Sequence, residues 1–223
     1  MKSNNLSGAP VHRRPIWARQ TAWASSLAQF LLRLGLRPNQ VSVSSLVFSV
    51  GAACCLAALP HAGTSGRLGL PVTAILFIGL RGLCNLLDGM MAVEGGFRTR
   101  SGEVFNELPD RFSDTVTLLG LGFASSHFGI EASLGWAAAV LAAIVAFTRV
   151  LGVQAGAGAY FCGPMAKTAR MVVVVVACVG MVLEAAAGLP LRTPAVGLCI
   201  VVLGCCATIA RRSALIVREL EGQ

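Results

Sequence analysis

Six apolar segments, each about 20 residues long, recur along most of the chain and are separated by short polar connections. A helix needs about 20 apolar residues to cross the hydrocarbon core of a bilayer. The connections are too short, and the alternation of polar and apolar residues too weak, for the strands of a barrel. The sequence therefore predicts an all-α integral membrane protein with six transmembrane helices. The predicted spans are residues 41–59, 68–87, 105–128, 134–155, 171–189 and 195–210.

The chain carries a net charge of +8, which in a soluble protein would raise the question of nucleic-acid binding. Its cations gather before the first span, between spans two and three, between spans four and five, and after the sixth span. The opposite ends of the spans carry only Arg67 and Arg192. By the positive-inside rule, both termini and the connection between spans two and three are cytoplasmic. The basic residues thus indicate topology and affinity for anionic lipid, and we predict the bilayer, not nucleic acid, as the partner.

The segments outside the spans divide the rest of the chain. Residues 1–12 are predicted to form a disordered cytoplasmic leader, and residues 213–223 a cytoplasmic tail, on either side of a six-helix domain at 37–212. Residues 13–36 carry apolar side chains at helical spacing, interrupted by Arg and Gln. This pattern predicts an amphipathic helix that lies on the cytoplasmic membrane face. An ordinary juxtamembrane anchor without contact to substrate is the alternative.

Acidic residues are concentrated in one part of this apolar chain, since six of the ten lie between Asp88 and Asp114. At the end of the second span, Arg81, Asn85 and Asp88 follow each other at i, i+4 and i+7, so they share one helix face. Ionisable residues at this depth are energetically costly and indicate a functional site. A buried ion pair between Arg81 and Asp88 with a structural role is the alternative.

The third span repeats the arrangement. Asn106, Asp110 and Asp114 are spaced at i, i+4 and i+8 and form a second polar face, while the i, i+4 spacing of Glu107 and Arg111 predicts an ion pair. Two helices that meet at a Gly-rich connection, each presenting carboxylate and carboxamide oxygens, suit a hard divalent cation. We therefore predict a site for Mg²⁺ or Mn²⁺.

Small and basic residues surround these oxygens. Gly89, Ala92 and Gly102 leave room for a phosphate or nucleotide to approach the backbone. Nearby basic residues would balance the negative charge of a polyphosphate. They are Arg81, Arg98 and Arg100. The pattern indicates phosphoryl-type transfer at the membrane surface, in which a metal neutralises the leaving group and one carboxylate accepts a proton.

A second group of cations lies later in the chain. Arg149 is placed within the fourth span, and Lys167 and Arg170 follow in the connection to the fifth span. These three residues could form a cationic pocket that faces the carboxylates. Alternatively, Lys167 and Arg170 serve only to set the topology.

The stretch from Asn85 to Asp110 resembles the motif of the CDP-alcohol phosphatidyltransferases, which reads DxxDGxxAR, eight residues, then GxxxDxxxD, across the second and third of six transmembrane helices. Five of the eight defined positions match, and the spacing is undisturbed. The departures are Asn85 and Asn106, which replace aspartates, and Val93, which replaces the arginine.

The resemblance implies transfer of a phosphatidyl group from CDP-diacylglycerol to the hydroxyl of a small alcohol, with release of CMP. It also suggests a homodimer in a bacterial inner membrane, with the active site on the cytoplasmic side. Carried over, the metal site would comprise Asn85, Asp88, Asn106 and Asp110, and Asp110 would also deprotonate the acceptor. The CDP group would lie against Arg81, Gly89, Ala92 and Gly102. The acceptor would face Arg149, Lys167 and Arg170, which favours a phosphorylated or anionic polyol.

The departures from the motif leave alternatives open. The loss of two negative charges should weaken divalent binding and can leave one metal where the family holds two. Asp114 and Glu107 are candidate replacement ligands, and Arg98 or Arg100 could stand in for the arginine replaced by Val93. A degenerate relative that binds nucleotide lipid or metal without turnover is one alternative function. A small transporter is another, although its acidic residues would then be expected across the membrane thickness.

Overall fold

The computed structural model of the chain describes residues 21–96, 102–124 and 132–222. Regular structure within these ranges is helical, which confirms the all-α prediction. The seven α-helices are α1 (Ala22–Arg33), α2 (Pro38–Ala57), α3 (Thr64–Glu94), α4 (Gly102–Ala124), α5 (Ala132–Gln154), α6 (Lys167–Ala186) and α7 (Thr193–Glu221). A short 3-10 helix, Leu59–His61, follows α2.

Five of these helices, α2, α3, α5, α6 and α7, are long and apolar enough to cross a membrane, so the chain is a multi-pass membrane protein. The third predicted span, which corresponds to α4, is not among the five. Its first half carries several ionisable residues, which lower its hydropathy: Glu103, Glu107, Asp110, Arg111 and Asp114. A sixth transmembrane span at α4 therefore stays a prediction.

Close backbone approach holds α4 between α2 and α5. A Cβ atom at Gly120 would lie 2.6 Å from Cα of Ala53 on α2, and one at Gly122 would lie 2.7 Å from Cα of Gly135 on α5. Residues without side chains allow helix backbones to approach this closely in membrane proteins. These two contacts set the position of α4 against α2 and α5.

The amphipathic helix predicted at residues 13–36 is described from Ala22 to Arg33, as α1. Its buried face, at Ala24 and Ala28, belongs to the same apolar cluster as Leu87 and Met91 of α3. Its other face exposes large apolar side chains, among them Phe30. The helix therefore packs beside the end of α3 that carries the motif, while residues 1–20, with the predicted leader, lie outside the described ranges.

The last helix is longer than the predicted sixth span. It begins at Thr193, where the backbone N–H groups of Arg192 and Thr193 donate to the carboxylate of Glu184 on α6. It then continues to Glu221, so residues 213–221 of the predicted tail extend α7. This extension contacts the connection between α5 and α6, residues 155–166, through Glu219.

Candidate active site

Asp88 lies on the last third of α3, is 4% exposed, and is oriented by α2. The hydroxyl of Ser42 on α2 donates to Oδ2 of Asp88 at 2.5 Å. Asn85, one turn earlier on α3, is half-buried. The adjacent helix therefore holds the Asp88 carboxylate in one orientation.

Asp110 lies on α4 and is 8% exposed. Its Oδ2 atom forms an ion pair with the ammonium of Lys167, the first residue of α6. Its Oδ1 atom is buried and has no hydrogen-bond partner among the described residues. Asp88 interacts electrostatically with both Asp110 and Lys167. The two carboxylates predicted from separate helices thus lie within electrostatic range of each other, and we call Asp88 and Asp110 the carboxylate pair.

Asp114, one turn further along α4, lies between two arginines. Its Oδ1 atom is 2.5 Å from Nη2 of Arg81 on α3, and its Oδ2 atom pairs with Nη2 of Arg170 on α6. The side chains of both arginines are almost fully buried, at 2% and 1% exposed. Arg81 therefore pairs with Asp114. The alternative drawn from the sequence, a buried ion pair between Arg81 and Asp88, is wrong. We call Arg81, Asp114 and Arg170 the ion-pair cluster.

Other bonds fix the arginines of the ion-pair cluster further. Arg170 donates from Nη1 to the carbonyl oxygen of Met165 at 3.0 Å. Nη1 of Arg81 lies 2.8 Å from the sulfur of Met171. The cluster joins α3, α4 and α6 and brings the first turn of α6, with Lys167, against the carboxylate pair.

Glu107 is also engaged by two arginines. Its Oε2 atom accepts from Arg111 at 2.8 Å, which confirms the ion pair predicted from their i, i+4 spacing. Its Oε1 atom accepts from Arg149 on α5 at 2.6 Å. The Arg149 guanidinium also lies over the ring of Phe161, 5.1 Å from its centroid. Both carboxylate oxygens of Glu107 therefore have cationic partners.

The remaining predicted residues lie near the carboxylate pair along α3 and α4. Gly89 and Ala92 follow Asp88 on α3, and Gly102 is the first residue of α4. Asn106 precedes Asp110 by one turn of α4. Arg98 and Arg100, the candidate substitutes for the missing motif arginine, lie outside the described residues.

Three residues of α7 hold the 155–166 connection, a role that the charge and hydropathy patterns do not reveal. Arg212, one of the cations after the sixth predicted span, is 4% exposed and donates to the carbonyl oxygens of Cys162 at 2.8 Å and Val145 at 2.7 Å. The hydroxyl of Thr208 accepts from the N–H of Met165 at 2.9 Å. Because α6 begins directly after this connection, α7 helps to place Lys167.

The third of these residues, Glu219, accepts two hydrogen bonds near the start of the connection. Its Oε2 atom accepts from the N–H of Gly158 at 2.9 Å and from the hydroxyl of Tyr160 at 2.7 Å. The bond to Glu219 is the main reason why the pKa of the Tyr160 phenol is raised above its ordinary value. The hydroxyl can donate this hydrogen bond only while it is protonated, so the bond stabilises the neutral phenol.

The residues present suit a hard divalent cation. Within the described ranges, no three side chains of His, Cys, Asp or Glu come together as a metal-binding group. The carboxylate pair supplies two acidic ligands, and the buried, unpartnered Oδ1 atom of Asp110 is an oxygen for which a cation would be a partner. Carboxamide oxygen from Asn85, water and substrate oxygens are suitable further ligands for Mg²⁺ or Mn²⁺.

The fold is that of a membrane enzyme of known structure. It superposes on the crystal structure of Mycobacterium tuberculosis phosphatidylinositol phosphate synthase with CDP-DAG bound, with a TM-score of 0.69 at 21% identity, over 86% of this chain and 92% of that one. The structure of the same protein in complex with manganese and citrate gives a TM-score of 0.68, again at 21% identity, over 87% and 88% of the two chains.

The curated relatives carry the same name. The chain is 35% identical over 116 residues to the phosphatidylinositol phosphate synthase of Mycobacterium marinum, which covers 52% of this chain and 44% of that protein. It is 34% identical over 116 residues to that of Mycobacterium tuberculosis, covering 52% and 48%. The chain spans about half the length of the curated relatives it matches in these alignments, and no family model matches it. Since these synthases are CDP-alcohol phosphatidyltransferases, the predicted resemblance to that family is confirmed, while the departures at Asn85, Val93 and Asn106 stay untested.

Proposed function

We propose that the chain is a metal-dependent CDP-alcohol phosphatidyltransferase, which transfers a phosphatidyl group from CDP-diacylglycerol to the hydroxyl of a small alcohol and releases CMP. The observation that carries this proposal is the carboxylate pair, because Asp88 and Asp110 occupy matching motif positions on consecutive helices and lie close enough to interact electrostatically. The names of the relatives favour a phosphorylated inositol as the acceptor. Cations beside the carboxylate pair, such as Lys167, suit such an anion.

In this proposal Asp110 accepts the proton of the acceptor hydroxyl. The hydroxyl oxygen then bonds to the phosphorus that carries the diacylglycerol group, the bond from that phosphorus to the CMP oxygen breaks, and CMP leaves with the electron pair. Lys167 holds Oδ2 of Asp110 in an ion pair, which fixes the orientation of the proposed base. A bound Mg²⁺ or Mn²⁺ would neutralise charge that develops on the diphosphate, held by Asp88 and Asp110 with Asn85 and Asn106.

The geometry supports different roles for three residues predicted to bind ligands. Both carboxylate oxygens of Asp114 face guanidinium groups, so we assign Asp114 to the ion-pair cluster and not to the metal. Arg81 and Arg170 are buried against it, and we assign them to positioning α3 and α6, not to CDP or acceptor binding. Gly89, Ala92 and Gly102 keep their proposed place beside CDP, and Arg149 and Lys167 keep theirs beside the acceptor.

The proposed location is a bacterial inner membrane with the site on the cytoplasmic side. Bacterial relatives and the distribution of cations along the sequence support it. A homodimer, which the resemblance suggests, belongs to the same proposal.

The test is turnover by the purified full chain with Mg²⁺ and CDP-diacylglycerol, with myo-inositol phosphate as acceptor and a panel of other polyols and polyol phosphates for comparison. We expect CMP release and a new phospholipid, identified by mass spectrometry, with myo-inositol phosphate. Asp110→Asn should abolish both while the protein stays folded. Absence of CMP release with every acceptor would overturn the proposal.

The replacement of two motif aspartates favours a second candidate, a relative that binds nucleotide lipid or metal without turnover. The double substitution Asn85→Asp and Asn106→Asp separates the two candidates. If the natural chain is inert and the double variant releases CMP, the second candidate is correct. If the natural chain is already active, the first one is.

A further inference from the structure

Most acidic side chains described around the site already have cationic partners. Asp114 contacts two arginines, and so does Glu107. Asp88 and Asp110 are the carboxylates that remain for a metal among the described residues, and one of them is in contact with an ammonium, that of Lys167. The described site thus combines two carboxylates with one fixed positive charge.

Positions 85 and 106 reduce the negative charge of this site further. The motif that the sequence resembles has aspartates there, and this chain has Asn85 and Asn106. Two divalent cations would add four positive charges to two carboxylates and an ammonium in a largely buried place. Uncompensated charge has a high free-energy cost in a poorly hydrated site. The second divalent cation would therefore bind weakly.

We propose that the ammonium of Lys167 takes the place of a second metal ion at Asp110, so that each chain binds one divalent cation. This inference rests on the proposed function. In it, Oδ1 of Asp110, which is buried and lacks a hydrogen-bond partner, contacts the divalent cation together with Asp88. In the substrate-free protein Oδ2 of Asp110 pairs with Lys167, and it is the oxygen left to accept the acceptor proton during turnover.

The fold supports a fixed position for this ammonium. Lys167 opens α6, and Arg170 in the same first turn is held by Asp114 and by the carbonyl oxygen of Met165. The side chain of Lys167 is 30% exposed, so its ammonium remains accessible to the phosphates of a substrate. Lys167 can therefore contribute the positive charge of a missing metal to both Asp110 and a bound diphosphate.

The experiment counts Mn²⁺ bound to the purified full chain without substrate, using electron paramagnetic resonance of the unbound ion. We expect one Mn²⁺ per chain. In Lys167→Met, the loss of the neighbouring positive charge should lower the Mn²⁺ dissociation constant by about tenfold or more. Lys167→Arg, which keeps the charge, should stay within about threefold of the natural chain. Arg192→Met, which removes an exposed cation at the far end of the helices, should bind Mn²⁺ like the natural chain.

The decisive comparison restores the acidic ligands. Asn85→Asp with Asn106→Asp should still bind one Mn²⁺, and the same double variant with Lys167→Met should bind two. The inference fails if the natural chain or the double variant binds two Mn²⁺, if the triple variant binds only one, or if Lys167→Met leaves the dissociation constant unchanged. Two Mn²⁺ in the natural chain would leave the proposed function intact, whereas no Mn²⁺ binding at all would overturn both.

Discussion

Ser42 and Asp88 are joined by a hydrogen bond of 2.5 Å between α2 and α3, which fixes one oxygen of a proposed metal ligand. Partners that orient a ligand in this way typically change metal affinity by 10- to 100-fold when they are removed. We expect Ser42→Ala to raise the Mn²⁺ dissociation constant by about tenfold, measured by the same resonance titration.

The matched control for that substitution is Ser44→Ala. The hydroxyl of Ser44 bonds only within its own helix, to the carbonyl oxygen of Gln40, and the residue is exposed. Its removal should leave the dissociation constant unchanged. Equal effects of both substitutions would mean that Ser42 stabilises α2 and has no part in orienting Asp88.

Asp114 is expected to contribute mainly to the stability of the folded protein. Its removal leaves the guanidinium groups of Arg81 and Arg170 buried without a counter-charge. Breaking a buried ion pair on one side costs about 3–5 kcal/mol, because an uncompensated charge remains. We expect Asp114→Asn to lower the free energy of unfolding by an amount of this order, measured by thermal or denaturant unfolding in detergent.

The combined variant Arg81→Met, Asp114→Leu and Arg170→Met tests the cause. Replacement of all the charges by apolar side chains removes the need for compensation, so its loss of stability should be smaller than that of Asp114→Asn. If the combined variant is much less stable than the single one, the ion-pair cluster itself, and not the stranded charge, supplies the stability.

The sequence predicted those parts of the molecule that depend on residues close along the chain. The helices follow from apolar segment length, and the Glu107–Arg111 pair follows from i, i+4 spacing within one helix. Arg81 shows the limit of this reasoning. Spacing within α3 suggested Asp88 as its partner, whereas the partner is Asp114, 33 residues away on α4. The choice depends on how α3, α4 and α6 pack, which helical periodicity does not determine.

Packing between helices also determines the contacts of Arg170 and Arg212. The sequence predicts Arg170 either in a cationic pocket that faces the carboxylates or as a determinant of topology, and Arg212 only among the cations that follow the sixth span. Both are buried, with guanidinium groups that bond to distant parts of the chain. Arginine at a helix end has the same appearance in a sequence whether it faces water or a buried carbonyl oxygen. Hydropathy and charge counts record only the residue type, so they predicted the topology and not these contacts.

Gly120 should be intolerant of any side chain. A Cβ atom there would lie 2.6 Å from Cα of Ala53, a backbone atom that cannot move without shifting α2. We expect Gly120→Ala to lower the free energy of unfolding by about 1–3 kcal/mol.

Gly79→Ala on α3 is the control, because a Cβ atom at that exposed helical position meets nothing within 4 Å. It should leave stability unchanged or raise it by up to about 1 kcal/mol. Similar losses for both substitutions would contradict the close contact between α2 and α4.

Tyr160 offers a direct test of the contact between α7 and the 155–166 connection, because it is the single tyrosine of the chain. Its hydroxyl donates to Glu219, which raises the pKa of the phenol above its ordinary value of about 10. A group whose pKa is raised on folding stabilises the folded state below its ordinary pKa, and the contribution is lost as the pH rises through the raised value. We therefore expect Glu219→Gln to lower the pKa of Tyr160. The ultraviolet absorbance of tyrosinate, recorded as the pH is raised, measures this pKa. Glu221→Gln removes the same charge from an exposed position two residues later and should leave that pKa close to its natural value. An identical pKa in Glu219→Gln and the natural chain would show that α7 does not hold the connection through this bond.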